Sequence, residues 1–120
     1  MGIKIIDKSK EFNAVETYLL TTSQDITLVK DIEDGTEIDV IEYLVYAIDR
    51  DNSETIILSV ITPDNKVYST VSATFRDAFM DIWSIMSDEI GIVPIIKKSG
   101  VTKKERTFLT CVLNTAKLMK

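Results

Sequence analysis

Polar and apolar residues alternate from residue 36 to residue 48, and five apolar side chains fall on even positions: Ile38, Val40, Leu44, Tyr46 and Ile48. A repeat of two is typical of a β-strand with one buried face. Ile41 and Val45 add apolar side chains to the opposite face, which indicates covered faces on both sides or a bulge that shifts the register. A long strand that curves around two sheets meets both conditions.

Two shorter segments complete a predicted three-stranded meander. Residues 55–62 are largely apolar and follow a polar loop at 49–53, and residues 66–71 form the third strand. Pro63, Asp64 and Asn65 predict a tight turn between them, because proline presets one backbone dihedral and asparagine tolerates a left-handed one.

The pattern becomes helical after Ser72, which is a suitable N-cap. Apolar side chains then recur with helical spacing along one stripe: Phe75, Phe79, Ile82, Trp83 and Met86. We expect the helix to end near Glu89, just before Gly91. Beyond it, residues 92–98 and 106–113 predict two more strands around a loop at 99–105.

The segment from Ser9 to Thr22 fits two interpretations. Its apolar spacing matches a helix with Ser9 as N-cap, whereas its β-branched and aromatic residues favour an extended strand. We expect residues 1–35 to form an N-terminal extension that packs on the rest. No repeat or linker divides the chain, so residues 1–120 are predicted to form one domain.

The predicted order is therefore three strands, one helix and two strands. This is the order of the OB-fold, a mainly β, five-stranded barrel with its helix between strands three and four. An α+β sandwich with the same order is the alternative.

Composition narrows the chemistry. The chain has no histidine and a single cysteine, Cys111, so histidine-assisted nucleophiles, disulfides and cysteine zinc clusters are excluded. The acidic pairs lack a calcium-loop spacing. We expect no enzyme, cofactor or metal site. No apolar run is long enough for a bilayer and the start does not resemble a signal peptide, which predicts a cytoplasmic protein without a membrane partner.

Charge is unevenly distributed along the chain. The formal net charge is −5, but residues 92–120 carry seven cations against one anion, a net +6, so residues 1–91 carry −11. Five of the cations lie in the last predicted loop or beside it: Lys97, Lys98, Lys103, Lys104 and Arg106. Cations at one loop of an OB-fold are suited to phosphates, although a solvated hairpin tip explains them equally well on charge alone.

Exposed aromatic rings are the second feature that a single-strand binding site needs, because any base can stack on a ring. Phe108 is predicted to point outward beside Arg106, because Leu109, Cys111 and Leu113 form the core face of the last strand. The other candidates for nucleic-acid contact are Tyr68 with Lys66, Tyr46, which lies on the opposite face from Tyr43, and Arg50 in the loop between the first two strands.

Several stretches resemble the small single-stranded DNA-binding proteins of phages of Gram-positive bacteria, including lactococcal ones: residues 18–21, 29–36, 62–68, 73–76, 79–82 and 97–111. The resemblance implies an OB-fold that coats single strands during phage replication and recombination, often as an oligomer, without catalysis. It also implies contacts with phage recombination or replication proteins. The basic hairpin of the family corresponds to residues 97–106, but Glu105 stands where glycine is expected before the arginine. Host-type proteins carry an acidic tail that recruits partners, and because residues 117–120 are not acidic we expect this recruitment route to be missing.

Two functions of different classes follow. The first is sequence-tolerant binding and protection of single-stranded DNA. The alternative is an acidic protein-interaction module or DNA-mimic inhibitor, which the net charge favours. The cations between Lys97 and Arg106 discriminate the two, because a DNA mimic has no use for them.

Overall fold

The computed structural model describes residues 2–119, without the side chain of Arg50. Strands and helices follow one another as β1 (Ile3–Lys8), α1 (Ala14–Thr21), β2 (Thr27–Leu28), a 3-10 turn (Val29–Asp31), β3 (Glu37–Val40), β4 (Glu42–Arg50), β5 (Ser53–Ile61), β6 (Val67–Thr70), α2 (Ala73–Met86), β7 (Val93–Val101), β8 (Thr107–Leu113) and α3 (Thr115–Leu118). The fold of these residues is mainly β.

The long first strand of the prediction is divided at Ile41 into β3 and β4. β3 pairs with β7 in a three-stranded sheet of order β3-β7-β8, whereas β4 pairs with β5 in a five-stranded sheet of order β1-β4-β5-β6-β2. One stretch of chain thus serves two sheets, which explains why apolar residues occur on both of its faces. The predicted register break lies at Ile41.

The predicted closed five-stranded barrel is not found in the part of the chain that the structure describes. β2 pairs in parallel with β6, with Thr27 opposite Tyr68 and Leu28 opposite Ser69. This pairing occupies the edge of β6 that a closing strand would need, so β8 is not bonded to it. Eight strands in two sheets replace the five strands of the prediction.

The main core lies between the two sheets and α2. Phe75 and Phe79 from the predicted helical stripe are fully buried there, and Tyr43 of β4 meets Phe79 and Trp83 edge-on, with ring centroids 5.7 Å and 5.1 Å away. Ser72 caps the helix by accepting a hydrogen bond from the backbone N–H of Phe75. The stripe and the cap of α2 confirm the prediction, but the helix ends at Met86, three residues before the predicted end near Glu89.

The N-terminal segment packs against the five-stranded sheet. β1 pairs with β4, and Leu20 of α1 is buried with Leu44, Tyr46 and Val67 on the sheet face that points away from α2. The hydroxyl of Ser59 donates to the Leu20 carbonyl oxygen at 2.7 Å. The extension therefore covers one face of β4, β5 and β6.

Residues 9–22 contain a helix, and Ser9 is not its N-cap. Asn13 caps α1 in a capping box with Glu16: each side chain bonds the other residue's backbone N–H. Ser9 instead hydrogen-bonds to Tyr43 of β4, where its hydroxyl accepts from the backbone N–H at 2.8 Å. Ser9 therefore anchors the end of β1, and the observed cap lies four residues after the predicted one.

None of the helices within residues 2–119 is both long enough and apolar enough to cross a bilayer.

Candidate nucleic-acid interface

The ribbon formed by β7 and β8 ends in a tight turn that carries cations. The strands continue to Val101 and resume at Thr107, so the turn is shorter than the predicted loop. The N–H of Thr102 donates to the Arg106 carbonyl oxygen and the N–H of Glu105 donates to the Thr102 carbonyl oxygen, both at 2.9 Å. The side chains of Lys103, Lys104 and Arg106 are exposed around this turn, with Lys98 exposed further down β7.

Glu105 occupies the turn position that demands a left-handed backbone, with φ at +60°. A residue with a Cβ atom is strained there, whereas glycine is not. This geometry accounts for the glycine expected from the family resemblance. The structure therefore defines the tip conformation that the sequence could not.

Phe108 lies on the outer face of β8, and its ring is half-buried against Gly100. The predicted alternation is confirmed, because Cys111 is buried and Leu109 and Leu113 pack on the main core. Gly100 is the direct cross-strand partner of Phe108, and a Cβ atom there would lie 2.5 Å from Cζ of the ring. One ring face is therefore occupied by the Gly100 backbone, so at most the other is open to a base.

The prediction that Lys97 contacts DNA is wrong, because its side chain is buried. It follows Val93 and Ile95 on the core face of β7 and is only 5% exposed. Its Nζ donates to the Ile32 carbonyl oxygen at 2.7 Å and pairs with Asp34 Oδ1 at 3.0 Å. A hydrogen bond from Ser99 and the Lys97 ammonium lower the pKa of the Asp34 carboxyl. Lys97 fastens the chain before β3 to β7.

Tyr46 is also not available as a stacking platform. Its side chain is 2% exposed beneath α1, with Leu20 and Val67 in the same cluster. Its hydroxyl lies 3.4 Å from the Thr21 carbonyl oxygen, and burial raises its pKa. The prediction failed because the sequence did not decide between helix and strand for residues 9–22. The helix in this segment is what covers the Tyr46 face of β4.

Tyr68 faces inward rather than outward. It lies opposite Val60 in the pairing of β5 and β6 and packs partly buried on the main core. Lys66, two residues earlier, precedes β6 and is exposed in the turn. The two residues therefore do not form the joint platform that the sequence predicted. The Arg50 side chain lies outside the described residues.

A groove of about 530 Å³ lies between the N-terminal segment and the end of β6. Its lining is mostly aliphatic and hydroxylic: Thr21, Ser23, Ile26, Leu28, Lys30, Tyr46, Ile48, Ile57, Ser69, Thr70, Val71, Ser72 and Leu109. Lys30 is its cation, and Leu109 connects it to β8. Ser72 bridges the same seam by donating from Oγ to the Leu109 carbonyl oxygen at 3.3 Å.

Comparison with known families decides the class of the protein. A family profile described as "Phage Single-stranded DNA-binding protein" matches residues 5–114. The chain belongs to this family. No curated protein and no solved structure matches it. The groove and the basic turn both lie within the matched residues.

Sequence reasoning missed the groove of this phage single-stranded DNA-binding protein. Most of its lining comes from residues 21–30 and 69–72, which are distant in sequence and lie side by side where β2 pairs with β6. The sequence signal was limited to Leu28 and Val71, apolar residues beside predicted element ends that the structure leaves 42% and 65% exposed.

The thiol of Cys111 is buried in the core. Burial raises the pKa of its thiol to about 12, which keeps it protonated, and its sulfur lies 3.9 Å from the Phe75 carbonyl oxygen. A thiol in this state is a poor nucleophile. No group of three or more metal-binding side chains that could hold an ion occurs within the described residues.

Proposed function

We propose that single-stranded DNA crosses the protein from the basic turn of β7 and β8 into the groove beside β6. The family assignment makes single-stranded DNA binding in phage replication the function of this chain. The observation that supports this path is the position of Leu109, which lines the groove three residues after Arg106. The two side chains lie on opposite faces of β8, and β8 is the edge strand of its sheet, so the DNA passes around this edge from the outer face to the groove. Three residues of extended strand span about 10 Å, so the two positions are close together along β8.

In this proposal the phosphates contact the exposed cations, namely Lys98, Lys103, Lys104 and Arg106. Each neutralised phosphate releases counterions, which drives binding regardless of sequence. Bases pack on the exposed aliphatic rim of the groove at Leu28 and Val71, while Lys30 meets a phosphate at its mouth. Phe108 offers its open ring face to a base near the turn. Lys66 and Arg50 extend the cationic path only as secondary candidates.

The protein protects single-stranded DNA by covering it. Bases held on the surface cannot re-pair, and a covered strand is shielded from nucleases, with no catalytic step and no cofactor. We place this action in the cytoplasm of the infected bacterial cell, where phage single strands arise. Homo-oligomers and contacts with phage recombination or replication proteins complete the proposal, supported by the family resemblance.

We also propose that the two sheets are an opened form of the OB barrel. The shared stretch of β3 and β4, and α2 between the third and fourth major strands, support this interpretation. The bridge from Ser72 to Leu109 holds β8 beside the end of β6, where a closed barrel would pair its strands.

The groove is tested by placing a negative charge on its wall. Val71→Glu puts a carboxylate at a 65% exposed groove position, and Ile85→Glu puts one at a 70% exposed position on α2 outside the groove lining. We expect about tenfold weaker binding of oligo-dT for Val71→Glu and little change for Ile85→Glu. Equal affinities of the two variants by fluorescence anisotropy would exclude the groove from the DNA path.

A protein-interaction module without DNA binding is not favoured. The family assignment opposes it, and the exposed cations at the turn have no role in a DNA mimic.

A further inference from the structure

β1 is an edge strand with an unusual composition for its position. It pairs with β4 on one side and lies at the end of its sheet on the other. All six of its residues are exposed, including Ile3, Ile5 and Ile6 at 45%, 41% and 47%. An exposed edge with apolar side chains and free backbone N–H and C=O groups is a template for pairing with another strand.

A register shift between Ile5 and Asp7 arranges the charges of β1. Lys4 lies opposite Ala47 and Asp7 opposite Val45. Ala47 and Val45 are two residues apart and share one face of β4, so Lys4 and Asp7 also share a face. Without the shift, residues three apart would point to opposite sides of the sheet.

The sequence of β1 is consequently complementary to itself in one antiparallel register. If residues whose numbers sum to eleven face each other, Lys4 meets Asp7 of a second copy twice, once on each side of the two-fold axis. Ile5 then meets Ile6, and Ile3 meets Lys8 on the other face. A register with a sum of twelve would instead pair Lys4 with Lys8, but these two residues lie on opposite faces of β1, so the faces of the two strands would not match.

The Lys4 ammonium and the Asp7 carboxylate can both accept a partner from a second copy. Lys4 forms no ion pair within the described residues, unlike Lys8, which pairs with Glu11 at 2.8 Å. Asp7 accepts a hydrogen bond from the Tyr43 hydroxyl at 3.0 Å. A carboxylate offers about four acceptor positions, so it can also receive a lysine.

We propose that a second copy of this chain pairs antiparallel with β1, with Lys4 of each copy opposite Asp7 of the other. The two five-stranded sheets then become one continuous sheet across the dimer. The apolar contacts and backbone hydrogen bonds supply the association, and the charges select the register. The proposal rests on the proposed homo-oligomer and names its interface, which lies outside the DNA path.

A charge-swap series on the full chain without DNA tests the interface by analytical ultracentrifugation. Lys4→Asp sets two carboxylates opposite each other in each of the two pairs, and Asp7→Lys sets two ammonium groups opposite each other. Each variant is therefore expected to weaken dimerisation by about tenfold or more. The double variant Lys4→Asp/Asp7→Lys restores the opposite charges and is expected to recover the dimer. Circular dichroism of all three verifies folding.

Three results would overturn the proposal: a monomeric wild type at every soluble concentration, single variants that dimerise like wild type, or a double variant that fails to recover. If both single variants unfold, recovery in the double variant still decides the matter. Oligo-dT anisotropy on the same samples separates this outcome from the DNA proposal. Single variants that lose the dimer but still bind oligo-dT would show that β1 serves dimerisation and not DNA binding. A wild type that dimerises but does not bind oligo-dT would contradict only the proposed DNA path.

Discussion

The ring of Phe108 lies across the backbone of Gly100, its direct partner in the pairing of β7 and β8. A Cβ atom on residue 100 would lie 2.5 Å from Cζ and 2.8 Å from Cε1 of the ring. Carbon atoms prefer separations of about 3.5–4.0 Å, so any side chain at residue 100 must displace the ring. Gly100 therefore holds the aromatic candidate of the interface beside the basic turn.

Gly100→Ala is expected to lower the free energy of unfolding by about 1–3 kcal/mol, as overpacking does, and to weaken oligo-dT binding by moving Phe108. Gly91→Ala is the matched control, because nothing lies within 4 Å of a Cβ atom there and its φ is not left-handed. Urea denaturation measures both variants. A Gly100→Ala protein as stable as the control would contradict the packing of the ring on Gly100.

Glu105→Gly is expected to stabilise the protein by about 1 kcal/mol, because glycine adopts the φ of +60° without strain. It also removes the anion among Lys103, Lys104 and Arg106, so oligo-dT binding tightens at low salt. Asn65→Gly provides the comparison: φ is +65° there, but asparagine already tolerates that region and the turn is elsewhere. Equal effects of both variants on DNA binding would show that Glu105 does not contribute to the field of the turn.

Lys97 and Lys98 are neighbours with opposite predicted phenotypes. Lys97→Met leaves the Ile32 carbonyl oxygen unpaired, so the free energy of unfolding falls by about 1–3 kcal/mol. Lys98→Met alters an exposed side chain, so stability changes by no more than about 0.5 kcal/mol while oligo-dT affinity falls. Thermal or urea unfolding and anisotropy on both variants check this split. Reversed phenotypes would contradict the orientation of β7.

The raised pKa of Cys111 predicts a pH-dependent stability difference. The folded thiol titrates at about 12 instead of its ordinary 9.0, so above pH 9 the unfolded state loses a proton that the folded state keeps. The stabilisation by the thiol is therefore complete below pH 9 and is lost as pH rises toward 12. Urea unfolding of wild type and Cys111→Ala across this pH range measures the effect as a difference in the free energy of unfolding. Lysine and tyrosine titrations occur in both proteins and therefore cancel in that difference. A stability difference that stays constant with pH would show that the thiol is not shielded.

The sequence predicted best the elements whose patterns are strong and local. The stripe from Phe75 to Met86 with its cap Ser72 defined α2, and the alternation around Cys111 defined the inner face of β8. Local periodicity also indicated the register break that proved to lie at Ile41. These features depend on neighbours within one element, which the chain order determines.

The errors arose where distant segments decide burial. Tyr46 is buried because α1 covers its face, and no local pattern fixed the conformation of that segment. β2 is only two residues long, too short for a periodic signal, yet its parallel pairing with β6 prevents barrel closure. Lys97 was different: it continues the odd-numbered core positions Val93 and Ile95, so the alternation already indicated its inward orientation.

The salt dependence of oligo-dT binding shows whether the cations of the turn between β7 and β8 bind single-stranded DNA. Anisotropy titrations of oligo-dT and a matched duplex, at a series of salt concentrations, compare wild type with Lys103→Ala/Lys104→Ala/Arg106→Ala. We expect preference for the single strand. We also expect the slope of log affinity against log salt to be smaller by about 2 in the triple variant, because three phosphate contacts are lost. An unchanged slope and affinity in the folded triple variant would contradict the basic turn as the site of DNA binding.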